Sequence, residues 1–213
     1  MTPPVAKRRT YTEDQREKAS VVIKDILKKK YECLKLNDLS VKENIKEQTT
    51  EINCRLMFGK KKLTINGLGK GPVDGLFTAL VNNFSGKYYS LKNLYCVRFS
   101  IEADVEKYLT PYKTDAVVEA TLEITNSHTT LLFRERASSV NVVSANVVLS
   151  SIEHFINAEK CVIVLHKAIE DAKKRNRGDI LNNCTRQLAE IVKNVSYENV
   201  IQRLKEKQKD ESQ

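Results

Sequence analysis

Residues 51–84 read EINCRLMFGKKKLTINGLGKGPVDGLFTALVNNF, and the spacing of apolar residues changes once inside them. Ile52, Cys54, Leu56 and Phe58 alternate with Glu51, Asn53, Arg55 and Met57, the two-residue period of a strand with one buried face. Phe58-Gly59-Lys60-Lys61 reads as a turn into a second strand, Leu63-Thr64-Ile65. Leu76, Phe77, Leu80, Val81 and Phe84 then fall at i, i+1, i+4, i+5 and i+8, a single helical stripe that is expected to pack across the hairpin. The junction is Gly69-Lys70-Gly71-Pro72-Val73-Asp74: glycines permit a tight backbone, proline suits a first helical turn, and Asp74 complements the positive helix end.

Outward from this stretch the plan repeats. Tyr31 to Val41 supplies a third strand of the first unit, although its alternation is weak. Tyr95, Val97, Phe99, Ile101 and Ala103 alternate, as do Val118, Ala120, Leu122 and Ile124, and Leu131 to Arg136 makes one strand more. A helix led by Ser139 or Asn141 carries Val143, Val147, Val148, Ile152, Phe155 and Ile156 on one side. The chain is therefore expected to be α+β, with two successive β-β-β-α units over about residues 31–85 and 92–160. Residues 1–30 are expected to form a polar start and an amphipathic helix. Residues 161–213 are expected to form a helical extension of three pieces, Val162 to Lys174, Ile180 to Lys193 and Tyr197 to Gln208. One unit has too little sheet to bury its helix on both sides, so two units, and two chains, are expected to pack together.

The formal charge of +9 sits mostly at the ends: residues 1–30 carry 9 basic and 4 acidic side chains, and residues 161–213 carry 11 and 8. Lys7-Arg8-Arg9, Lys28 to Lys30 and Lys173 to Arg177 lack the interleaved aromatics of a nucleic-acid platform, so nucleic-acid binding is not expected. Cys33, Cys54, Cys96, Cys161 and Cys184 are odd in number with no C-x-x-C pair, and His128, His154 and His166 stand far apart. Reduced thiols, no metal site, no cofactor and no catalytic residues are the expectation. No apolar run reaches membrane-spanning length and the start lacks a signal-peptide core, which points to a cytoplasmic protein without a membrane partner.

Gly67-Leu68-Gly69-Lys70-Gly71-Pro72-Val73-Asp74-Gly75 resembles the G-x-GPVDA junction of the C-terminal allosteric domain of 2-isopropylmalate synthases and citramalate synthases. Leu94 to Val97, Thr114 to Ala120, Ser139 to Ala145 and Ile156-Asn157 resemble that domain's later segments in the same order. The resemblance covers about residues 31–160. It implies a homodimer that binds leucine or isoleucine as end-product effector, near the junction of the two units and the dimer interface. The residues it points to are Gly69, Gly71, Pro72, Val73 and Asp74 at the first helix start, and Ser139, Asn141 and Ala145 at the second. Tyr95, Val97, Phe99 and Val118 are the expected apolar lining. An amino acid needs N–H donors for its carboxylate, acceptors for its ammonium and an aliphatic slot. The chain departs from the family at Lys113 and Val117, where the family has glycines, and at Asn141, where it has aspartate. The parent enzymes' catalytic barrel, with its paired histidines, has no counterpart in this sequence, so the reading is a regulatory and dimerisation module and not an enzyme. A dimeric scaffold that offers residues 161–213 to a partner enzyme or other protein is the competing reading.

Overall fold

A computed structural model describes residues 9–11, 13–103, 117–126, 129–192 and 197–210. Lys7, Arg8, Lys113, residues 114–116, His128 and residues 193–196 lie outside them. The alternating stretch is strand β3 (Thr49–Phe58), flanked by β2 (Leu34–Asn44) and β4 (Lys61–Gly69) in an antiparallel sheet of order β2-β3-β4. Ile52, Cys54 and Leu56 are buried, whereas Glu51, Asn53 and Arg55 face water, as the two-residue period requires. The β3–β4 turn holds Gly59 at φ 57°, a left-handed conformation that glycine adopts without steric cost. Helix α1 (Glu13–Leu27) precedes this sheet and α2 (Pro72–Phe84) follows it. Leu76, Leu80 and Phe84 of α2 are buried, and the Phe84 ring lies 5.0 Å from Phe58.

The second unit is β5 (Tyr95–Ala103), β6 (Val118–Thr125), β7 (Thr129–Ala137) and helix α3 (Val140–Lys174). Its sheet has a fourth strand the sequence reading did not anticipate: β1 (Arg9–Tyr11) pairs parallel to β7, giving the order β1-β7-β6-β5. The segment expected to be a polar start thus includes a strand that covers one edge of this sheet and leaves β5 as the other.

Helix α3 departs from expectation too. The break expected near residue 160 is absent, and one 35-residue helix runs through that boundary. Its first half is buried on nearly every side, from Val143 through Val162, because it packs on β6 and β7, on β2 and on α2. A helix enclosed in this way is apolar on most of its surface, and the polar side chains it buries, among them Ser151, Asn157 and Glu159, are hydrogen-bonded. Its second half leaves the sheets and joins α1, α4 (Gly178–Ile191) and α5 (Tyr197–Asp210) around a separate core of Ile23, Leu27, Cys161, Leu165, Ile169, Leu188, Ile191 and Ile201. The C-terminal helices therefore dock on the chain itself.

Polar groups on α3 fasten the first unit to the second. Asn157 Oδ1 accepts from the Glu32 N–H at 2.9 Å, and its Nδ2 donates to the Glu32 carbonyl at 2.7 Å. Glu153 accepts from the Tyr31 hydroxyl and the Leu34 N–H, at 2.8 and 2.6 Å. The buried Glu159 carboxylate accepts from the N–H groups of Tyr89 and Ser90 and from the Ser90 hydroxyl, which fixes the short 3-10 turn Tyr89–Asn93 leading into β5. Hydrogen bonds to charged groups are worth about 1.5–3 kcal/mol each, so these side chains set the relative placement of the two units.

Candidate binding groove at two helix starts

The glycines of the first junction do different jobs. A Cβ on Gly67 would collide with the Gly75 carbonyl oxygen and sit 3.0 Å from Ala79 Cβ. One on Gly69 would lie 2.7 Å from Gly75 Cα and 2.8 Å from Asp74 Oδ2. Strand β4 and the first turn of α2 are thus in backbone contact, and only glycine fits between them. Gly71 is unlike these two: its φ of −166° is ordinary extended backbone, and a Cβ there meets nothing within 4 Å. The tight backbone expected at Gly69 and Gly71 alike is real at the first and absent at the second.

Helix α2 starts at Gly71 without a side-chain cap, and its first intrahelical bond is Gly75 N–H to the Gly71 carbonyl, 3.0 Å. Asp74 turns back, Oδ2 accepting from the Lys70 N–H at 3.0 Å. Helix α3 starts at Ser139, whose side chain makes no capping bond, and Val143 N–H donates to the Ser139 carbonyl at 2.9 Å. No acidic residue occupies the first turn of α3. The leading N–H groups of α3, and those of Val73 and Asp74 in α2, whose first residue Pro72 has none, are therefore left without intrahelical partners at the positive ends of the helix dipoles.

These two starts and the flank of β5 enclose a groove of about 610 Å³. Phe99 pairs with Leu122 and Ile101 with Ala120, so all four share the face on which α3 packs. Leu122 and Ala120 are fully buried, yet Phe99 is 36% exposed and Ile101 37%, because the helices do not reach the edge strand. The uncovered strip is the apolar floor. The groove is of a size typical for small-molecule sites.

Of the residues singled out in the sequence, Gly71, Pro72, Val73, Asp74, Tyr95, Phe99 and Asn141 line this groove. Five do not. Gly69 holds β4 against α2 from behind, and Val118 and Ala145 are buried in the core. Val97 is the additional residue of a bulge between Cys96 and Arg98, half exposed beside the groove, and Ser139 is the residue from which α3 starts. Phe77, Thr78, Leu94, Cys96, Ile101, Val140 and Ser144 complete the lining and were not singled out. Phe77 and Ile101 carried a usable signal, since each lies in a periodic apolar stripe, but periodicity places a residue on a face without saying whether that face is covered.

The Cys96 thiol, on a residue exposed at the groove's edge, is pushed up to about 11, by the desolvation its neighbours impose and then by the nearby Asp74 carboxylate. Its thiolate fraction accordingly rises about tenfold per pH unit below that value. Alkylation of Cys96 by iodoacetamide, followed by peptide mass spectrometry, is expected to keep accelerating, by close to tenfold, between about pH 9 and about pH 10, where an unshifted thiol levels off. A plateau at lower pH would contradict this setting for the thiol.

Across the surface, Lys173 pairs with Glu170, Arg175 with Asp171 and Arg177 with Asp179, so much of the third basic stretch is engaged locally. Among the described residues no helix is long and apolar enough to cross a membrane, and no group of three or more His, Cys, Asp or Glu is placed to hold a metal ion.

Two β-β-β-α units that share a helix layer, with an uncovered apolar sheet edge beside paired helix starts, make up a duplicated α+β domain. The family described as the LeuA allosteric (dimerisation) domain matches residues 14–162, and the chain belongs to that family. The match begins in α1 and ends within α3, so α4 and α5 lie beyond it. A search of curated proteins finds no match.

Proposed function

We propose that this regulatory domain is non-catalytic, forms a homodimer through the uncovered flank of β5, and holds leucine or isoleucine in the groove as the effector of a leucine-type biosynthetic enzyme. The observation that carries the reading is the convergence of two uncapped helix starts on one apolar strip. A carboxylate is stabilised by the leading N–H groups of α2 and α3. An ammonium suits the Asp74 carboxylate, which has acceptor capacity beyond its bond to Lys70. An aliphatic side chain suits Phe77, Leu94, Phe99 and Val140. Asn141, where the family has aspartate, offers a neutral amide instead of a second negative charge, so the load of ammonium recognition falls on Asp74. The free cysteines suit a reducing compartment such as the cytoplasm.

Thermal unfolding across a panel of amino acids tests this reading. A bound effector at about 100 times its dissociation constant adds about 2.7 kcal/mol of stability. Leucine or isoleucine is expected to raise the melting temperature, and Asp74→Ala to abolish the rise. An unchanged melting temperature with every branched-chain amino acid would remove the effector from the proposal.

A further inference from the structure

We propose that the cleft between the last turns of α3 and helix α5 is a second ligand site, which takes a small polyanion of the phosphate-ester or polyphosphate class. The cleft, about 540 Å³, is walled by His166, Lys167, Glu170, Asp171 and Lys174 of α3 and by Lys205 of α5. Every wall residue is charged or titratable, so the lining suits a charged molecule and not an apolar side chain.

The charges do not cancel. Glu170 is engaged by Lys173 at 3.0 Å, and Asp171 by Arg175 at 3.0 Å, both cations from outside the wall. Lys167, Lys174 and Lys205 form no ion pair among the described residues. Lys167 and Lys174 are two turns apart on one face of α3, and Lys205 approaches from the other helix. Like charges brought together from two helices repel, and an anion between them converts that repulsion into attraction. Lysine ammonium groups bind phosphate as point charges, which fits a multiply charged ligand of variable shape.

Lys205 is held in place by its neighbour. Arg203 Nη2 donates to the Gly86 carbonyl at 2.8 Å, and its guanidinium lies 5.6 Å from the centre of the Tyr89 ring. The helix that supplies the third lysine is thereby fixed to the connection between α2 and β5. The site lies beyond the family match and is independent of the groove, so it stands or falls apart from the effector reading.

Titration calorimetry of the full chain with inorganic pyrophosphate at about 50 mM salt tests the site. Saturable binding at one site per chain is expected, weakened at least about tenfold in a Lys167→Ala, Lys205→Ala double variant. A control variant at the β3–β4 hairpin turn, whose residues do not line the cleft, Lys60→Ala with Lys61→Ala, is expected to bind as the unaltered protein does. All four lysines are exposed, so both variants fold, as circular dichroism would verify. Absence of binding at about 10 mM pyrophosphate, or equal affinity in the two double variants, would overturn the proposal.

Discussion

Gly67→Ala is expected to cost about 3 kcal/mol of stability, among the largest single-methyl effects this fold admits. The added carbon meets the carbonyl oxygen of Gly75, which belongs to the backbone of α2 and cannot swing aside as a side chain can. Either β4 or the first turn of α2 must move, and there is little room on the helix side, where a Cβ on Gly75 would already lie 3.3 Å from Ile52 Cγ1. Gly71→Ala serves as the internal control, because that residue has open space and an unstrained backbone; its effect is expected to stay within about 0.5 kcal/mol. Urea denaturation reads both, as a fall in midpoint with unchanged slope for Gly67→Ala and almost no change for Gly71→Ala. Equal stabilities would mean that strand and helix are not in backbone contact.

Lysine at both Val97 and Phe99 is expected to weaken self-association at least about 100-fold, roughly 2.7 kcal/mol. Val97 is 51% exposed and Phe99 36%, so a lysine at either position can carry its ammonium into solvent in the isolated chain while its stem covers the apolar floor. In a symmetric dimer each change occurs twice at one interface, and like charges placed together there cost several kcal/mol. The opposite edge of the same sheet is covered by β1, which leaves β5 as the flank open to a second copy. Sedimentation velocity at fixed concentration is expected to show a dimer for the unaltered protein and a monomer for the double variant. A variant that remains dimeric would move the interface elsewhere.

The duplicated β-β-β-α plan was legible because both units obey local periods. Residues 52–58 alternate cleanly, and α2 and α3 carry apolar stripes at helical spacing. Long-range facts were not. A three-residue strand such as β1 has no periodicity to read, and its partner β7 lies more than a hundred residues away. Asn157 stood out only through a family resemblance. Its physical reason is a reciprocal pair of bonds to the backbone of Glu32, 125 residues earlier. The continuity of α3 was hidden because its surroundings change from sheets to helices near residue 160, and that change in apolar pattern resembles a boundary.

The groove shows the same division. Its two helix starts could be found from Gly71-Pro72-Val73-Asp74 and Ser139 to Asn141, since start signals are local. Its floor could not, because Phe99 and Leu122 look alike in sequence and differ only in whether a helix covers them.

Hydrogen–deuterium exchange with and without saturating leucine or isoleucine tests the central claim most directly, because it reports where a ligand acts without requiring a variant. Slower exchange is expected at Val73 to Gly75, along Leu94 to Ile101, and at Asn141 to Ser144, with the C-terminal helices unaffected. Protection confined to α4 and α5, or none at any of these three segments, would contradict it.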